Sequence, residues 1–158
     1  MSLLVAPAFR ILVVDPESED GTWCFEQYYK ELGERLETGF DLGVTSPVRP
    51  QELRPPAGLL MVAYRGNEAV GCGALKFHNG VGEIKRLWVA RSVRGQGLGR
   101  RLLETLEGQA KAHHCRALHL DTNRALTEAI ALYRSSGYQE VEPFNKEPYA
   151  HHWFEKRL

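Results

Sequence analysis

Six residues, Arg94-Gly95-Gln96-Gly97-Leu98-Gly99, constrain this chain more than any others. They separate a strand-like run, Ile84-Lys85-Arg86-Leu87-Trp88-Val89, from a helix-like run that starts near Leu98. A glycine-rich turn feeding a helix is a ready anion site, because the first N–H groups are unpaired and the helix dipole favours negative charge there. Glycine also removes the Cβ atoms that would keep a phosphate from the backbone. The turn therefore predicts a strand–turn–helix unit that holds a phosphate-bearing ligand.

Spacing excludes two such ligand motifs. A dinucleotide fingerprint, G-x-G-x-x-G, needs glycine at position 100 when read from Gly95 and at 102 when read from Gly97. Those positions are Arg100 and Leu102. A P-loop ends in Gly-Lys-Ser/Thr, where this chain has Arg100-Arg101-Leu102. Lys85, Arg86, Arg91, Arg94, Arg100 and Arg101 cluster around the turn in sequence and suit a ligand with several phosphates.

The rest of the chain reads as one domain, residues 1–158. Its 158 residues, 43% hydrophobic and 25% charged, are ordinary for a globular fold. Twenty acidic and twenty basic residues give zero formal charge, which disfavours broad binding to nucleic acid or an anionic membrane. Three scattered cysteines, Cys24, Cys72 and Cys115, argue against a disulfide framework and for a reducing, cytoplasmic setting. His113-His114 and His151-His152 lack chelating spacing, so no metal is expected.

Hydrophobic periodicity orders the elements. Phe9–Val14 is a strand, and Thr22–Glu37 a helix capped by Asp15 or Ser18 and stopped near Gly39. Ser46–Pro56 carries four prolines and reads as a loop. Leu59–Tyr64, Ala69–Phe77 and Gly82–Val89 form a three-strand meander, its second turn marked by Asn79-Gly80. A helix over Leu98–His113 places Leu98, Leu102, Leu103, Leu106 and Ala110 on one face. Ala117–Asp121 is a strand, and Leu126–Ser135 a helix closed by Gly137. Tyr138–Val141 and His151–Phe154 are the closing strands. The order is β-α-β-β-β-α-β-α-β(-β), an α/β domain with a mixed, mostly antiparallel sheet flanked by helices.

Arg94-x-x-Gly97-x-Gly99 resembles the Gln/Arg-x-x-Gly-x-Gly/Ala turn of the GNAT N-acetyltransferase superfamily. Leu132-Tyr133-Arg134-Ser135-Ser136-Gly137-Tyr138 resembles its Leu-Tyr-x-x-x-Gly-Phe/Tyr signature, and the element order matches its fold from end to end. The resemblance implies an enzyme that transfers the acetyl group of acetyl-CoA directly to a primary amine in a ternary complex. It implies that backbone N–H groups from Gln96 to Arg100 cradle the pyrophosphate, with Arg94, Gly95, Gly97, Leu98, Gly99 and Arg100 forming the turn. Leu87, Trp88 and Val89 would pair with the pantetheine arm, and the Val89 N–H would polarise the thioester oxygen. Glu83 matches the position of a general base in some members, with His78 and His119 as rivals. Tyr133 matches the tyrosine that protonates the departing thiolate. Many members carry Asn seven residues before that tyrosine; here the position is Leu126, and Asn123 is the expected substitute contact.

The acceptor side is expected within Trp23–Phe40, Val44–Pro56 and Phe144–Trp153. Tyr28, Tyr29, Asp41, Arg49, Arg54, Tyr149 and Trp153 lie there or beside it, and suit a small-molecule amine. A peptide acceptor, a non-catalytic acyl-CoA sensor and a different phosphate-ligand enzyme are the competing readings. A homodimer is compatible with the fold.

Overall fold

The computed structural model describes residues 8–158. One seven-stranded sheet runs through it: β1 (Phe9–Val14), β2 (Gly58–Arg65), β3 (Glu68–His78), β4 (Val81–Val89), β5 (Ala117–Thr122), β6 (Gln139–Val141) and β7 (His152–Arg157). The spatial order is β1-β2-β3-β4-β5-β7-β6. Every neighbouring pair is antiparallel except β4 and β5. The helices are α1 (Glu19–Arg35), α2 (Leu98–Ala112) and α3 (Thr127–Ser135). The expected α/β order is therefore observed, with the closing strand β7 inserted between β5 and β6.

Local chemistry explains the boundaries. The Ser18 hydroxyl accepts a hydrogen bond from the Gly21 N–H at 3.1 Å, so α1 begins three residues before the expected Thr22. It ends at an extended Leu36 rather than at Gly39, whose positive φ of 72° serves the following turn. Asn79 and Gly80 both adopt positive φ, as a two-residue hairpin between twisted strands requires. The proline-rich stretch holds one short 3-10 turn, Pro50–Leu53, which seals Leu53 into the core. Gly137, at φ 91°, closes α3 while Tyr138 N–H bonds back to the Tyr133 carbonyl at 3.1 Å.

The central strands β2 and β3 are buried along nearly all their length, as their near-continuous apolar runs require. Alternation along β2 sends Leu59 and Met61 to one face and Leu60 and Val62 to the other. The first pair joins Leu103, Leu106 and Ala110 of α2, together with Tyr133 of α3 and Phe154 of β7. The second pair packs with Cys24 of α1, Cys72 and Trp88. The α2 stripe is 0–1% exposed at Leu98, Leu102, Leu103, Leu106 and Ala110. Each face of the sheet thus carries its own helix, and the site forms where the sheet opens between them.

Candidate active site

The opening lies between β4 and β5. Their parallel pairing covers only Val81–Glu83 against Ala117–His119, after which the two strands part. A bulge in β4 sharpens the departure. Lys85 pairs with Ala74 and Trp88 with Cys72, so Arg86 and Leu87 together face Gly73. Arg86 takes φ +55°, a left-handed conformation that a side chain tolerates poorly, and its carbonyl accepts the Cys72 thiol at 3.2 Å.

Two cavities meet at this opening. The larger, about 470 Å³, is lined by Leu87, Trp88 and Val89 of β4, by Arg94, Gly95, Gly97, Leu98, Gly99 and Arg100, and by α3. The smaller, about 130 Å³, lies beneath Tyr28, Tyr29, Phe40 and Tyr149, with Lys85, Arg86, Asp121 and Glu147 as its charged lining. Leu87, Ala129 and Tyr133 line both.

The glycine turn has the form its sequence predicts. Gly95 and Gly97 each adopt φ +79°, and Gly97 is the N-cap of α2 with no side chain capping the helix. A Cβ at Gly95 or Gly97 would meet nothing within 4 Å, so the space beside the turn is open. Backbone handedness, not crowding, demands glycine at these two positions. Gly99 differs: a Cβ there would stand 3.2 Å from Leu132 Cδ2, so its role is close packing of α2 on α3. The first-turn N–H groups of α2 lack intrahelical partners and face a cleft without a capping side chain.

The basic cluster seen in sequence disperses in space. The Arg94 guanidinium forms an ion pair with Glu31 and donates to the Val89 carbonyl at 3.1 and 3.0 Å, tying the turn to α1 and β4. Arg100 donates to Ser136 Oγ at 3.1 Å and Ser135 Oγ at 2.8 Å. Arg91 pairs with Glu34, and Arg101 donates to the Phe9 carbonyl. Of the six cations, only Arg94 and Arg100 line the larger cleft. The cleft thus holds the uncapped start of α2 together with Arg94 and Arg100.

Tyr133 sits at the junction. Its ring is 6% exposed and packs on Tyr138 and Phe154, at 6.0 Å between centroids in each case. Its hydroxyl has no hydrogen-bond partner among the described residues. Burial, and secondarily the Asp121 carboxylate, push the phenol well above its ordinary pKa, so it is a protonated donor at neutral pH.

Glu83 stands elsewhere. Its carboxylate pairs with Lys85 Nζ at 3.1 Å and lines neither cavity. Lys85 Nζ also lies 3.7 Å from Asp121 Oδ2, and Asn145 donates to that oxygen at 2.8 Å. Asp121 does line the smaller cavity. Burial raises its pKa, opposed by Lys85 and by the Asn145 hydrogen bond and assisted by the charges of Glu147 and Glu83. The rivals are engaged otherwise: His119 Nε2 is 2.7 Å from Glu155 and its ring stacks on Phe144, while His78 is exposed beside Asn79. Asn123 lines the smaller cavity rather than the glycine cleft. Its amide donates to the Tyr149 carbonyl at 2.8 Å and accepts from Ala125 N–H at 2.9 Å.

Asp121 and the bulge at Arg86 carry functional geometry that the sequence did not single out, whereas Tyr28, Tyr29 and Tyr149 line the smaller cavity as expected of the acceptor side. Asp121 follows a compact apolar run, and only the parting of β4 from β5 exposes its carboxylate to a cavity. Among the described residues, no group of three or more His, Cys, Asp or Glu side chains is placed to hold a metal, and no helix is long and apolar enough to cross a membrane. Cys24, Cys72 and Cys115 are free and buried.

Known proteins place this architecture in a family. A family model described as acetyltransferase (GNAT) family matches residues 18–138, and the chain belongs to that family. It is 42% identical over 96 residues to an IAA acetyltransferase of Azospirillum brasilense, a match spanning 60% of this chain and 63% of that protein. It is 31% identical over 134 residues to an uncharacterised N-acetyltransferase of Schizosaccharomyces pombe, covering 82% and 81% of the two chains. A putative acyl-CoA N-acyltransferase of Klebsiella pneumoniae superimposes with a TM-score of 0.75 at 30% identity, covering 95% and 97%. The protein is thus a GNAT-fold member of a transferase family, and its sheet, turn and tyrosine signature have the geometry described above.

Proposed function

We propose that the protein is an acetyl-CoA-dependent N-acetyltransferase acting on the primary amine of a small molecule by direct transfer in a ternary complex. The observation that carries this reading is the Tyr133 hydroxyl, protonated and without a partner among the described residues, where the glycine-turn cleft meets a second polar cavity. When bound, acetyl-CoA supplies a thioester whose C–S bond breaks as the acceptor's C–N bond forms. The N–H groups from Gln96 to Arg100 hold the pyrophosphate, with Arg94 and Arg100 flanking them. Leu87, Trp88 and Val89 offer a strand edge unpaired by β5, and the Val89 N–H would donate to the thioester oxygen.

The proton balance assigns the remaining groups. An ammonium must lose a proton before it can attack. Asp121 lines the acceptor cavity and burial raises its pKa above the ordinary aspartate value, so we assign it that proton. Tyr133 gives its proton to the leaving sulfur and regains one from the nitrogen once the C–N bond has formed. Of the two protons the ammonium loses, one therefore ends on the thiol and one passes through Asp121 to solvent. Glu83 acts at one remove, holding Lys85 beside Asp121.

The acceptor cavity is roofed by two loops, which favours a small acceptor over a peptide. Thr45 Oγ1 and Ser46 N–H donate to Glu147 at 2.8 and 3.0 Å, Asp41 N–H donates to the Tyr149 hydroxyl at 2.8 Å, and Phe40 packs on Tyr149.

Two measurements test this reading. Acetyl-CoA and CoA are expected to raise the melting temperature, ATP and NAD are not, and amines are expected to release free thiol from acetyl-CoA. CoA stabilisation without thiol release would leave a sensor, not an enzyme. Asp121→Asn is expected to lower kcat/KM about tenfold, below the ~100-fold lower end of the range for one acid–base group because solvent water also accepts the proton, and to remove the acid limb of its pH profile. A carboxyl whose folded pKa is raised disfavours the fold once ionised, so its contribution to stability is lost as pH rises through that pKa. The same variant is therefore expected to melt higher than the wild-type protein at pH 8. Glu83→Gln is expected to have the smaller kinetic effect; the reverse ranking would return the base role to Glu83.

A further inference from the structure

Among the described residues, Arg86 is the one cation lining the acceptor cavity without a counter-ion. Lys85, its neighbour, is paired with Glu83 and Asp121. The Arg86 guanidinium lies over the Phe25 ring at 4.3 Å and the Tyr29 ring at 5.4 Å, with only a long contact of 3.5 Å to the Val48 carbonyl. Among the described residues, no carboxylate forms an ion pair with it, although most arginines near the site have one. Two aromatic faces fix the plane of the fork and leave most of its N–H donors unused.

The backbone makes this placement deliberate. Arg86 is the bulge residue at φ +55°, where glycine or asparagine would be less strained. The bulge turns the side chain out of the alternation of β4 so that it lines the cavity. A half-buried cation held in a strained conformation, with no partner of its own, is satisfied by an anionic ligand. Asp121 and Tyr133 line the same cavity nearer the acetyl donor, and the carboxylate of Asp121 suits an ammonium.

We infer that the acceptor is an amino acid or a close amino-acid analogue, its carboxylate taken by Arg86 and its amine directed to Asp121 and Tyr133. This rests on the transferase reading above and narrows its acceptor class. The cavity of about 130 Å³ has room for a compact zwitterion, and the rings of Tyr28, Tyr29, Phe40 and Tyr149 suit an apolar side chain. A bidentate pair in such a setting discriminates strongly, because the analogue without a carboxylate leaves the guanidinium unpaired.

The experiment follows thiol release from acetyl-CoA with the standard amino acids and, for each, the amine lacking the carboxylate. The wild-type protein is expected to favour at least one amino acid over its decarboxylated partner by tenfold or more in kcat/KM. In Arg86→Gln that ratio is expected to collapse toward one, chiefly through KM for the amino acid, and Arg86→Lys to restore part of it. Melting with and without CoA shows that each variant is folded and separates the two readings. Absence of CoA stabilisation in the wild type overturns the transferase reading. CoA stabilisation with turnover of amines but no preference for their carboxylated partners, or with no amino acid accepted, overturns the acceptor class alone. A preference that survives in folded Arg86→Gln also overturns it.

Discussion

Tyr133→Phe is expected to lower kcat by about 100-fold, the lower end of the range for a positioned general acid. Binding of acetyl-CoA should change by less than about threefold, because the ring and not the hydroxyl shapes the cleft wall. Stability should be unaffected for the same reason. The ring remains packed on Tyr138 and Phe154, and the hydroxyl leaves no orphaned partner because it has none among the described residues. Steady-state kinetics, a CoA titration and a melt check the three parts together. An unchanged kcat would remove Tyr133 from the chemistry. A lowered melting temperature would reveal an unseen partner for the hydroxyl.

Tyr133 also marks what a sequence can and cannot say. The Leu132–Tyr138 run shows its type through a tyrosine, three intervening residues and a helix-ending glycine, all local features. The α2 stripe was readable for the same reason, since helical periodicity is a property of neighbours. The sheet order was not, because inserting β7 between β5 and β6 is decided by long-range pairing. The basic residues near the turn illustrate the limit. Six cations close in sequence diverge because strand alternation, a bulge and helix twist send them to Glu31, Glu34, Ser135, Phe9 and other partners. The roles of Glu83 and Asp121 are not separable in one dimension. Both are single carboxylates on strands, and only the end of the β4–β5 ladder at Glu83 leaves one of them at a cavity.

In the proposed complex the ladder's end and the glycine turn act on the same ligand, which makes Gly97 the sharper probe of donor binding. Gly97→Val places a β-branched residue at φ 79°, ψ 10°, where L side chains are strained by roughly 1–2 kcal/mol. Free space around the position means that no clash adds to this, so the protein is expected to fold and to melt a few degrees lower. The easier response of the backbone is to leave the left-handed region, which rotates the Leu98 and Gly99 N–H groups away from the cleft. Loss of one hydrogen bond to a charged phosphate is worth about 1.5–3 kcal/mol. KM for acetyl-CoA is therefore expected to rise about 30-fold, the equivalent of ~2 kcal/mol, with kcat changed far less because Tyr133 and Asp121 are untouched. Gly99→Ala should behave differently, since its Cβ presses on Leu132 and not on the anion path. It is expected to lower stability more than it raises KM. Equal KM effects from both substitutions would mean that the turn serves helix packing, and that the phosphate lies elsewhere along the cleft.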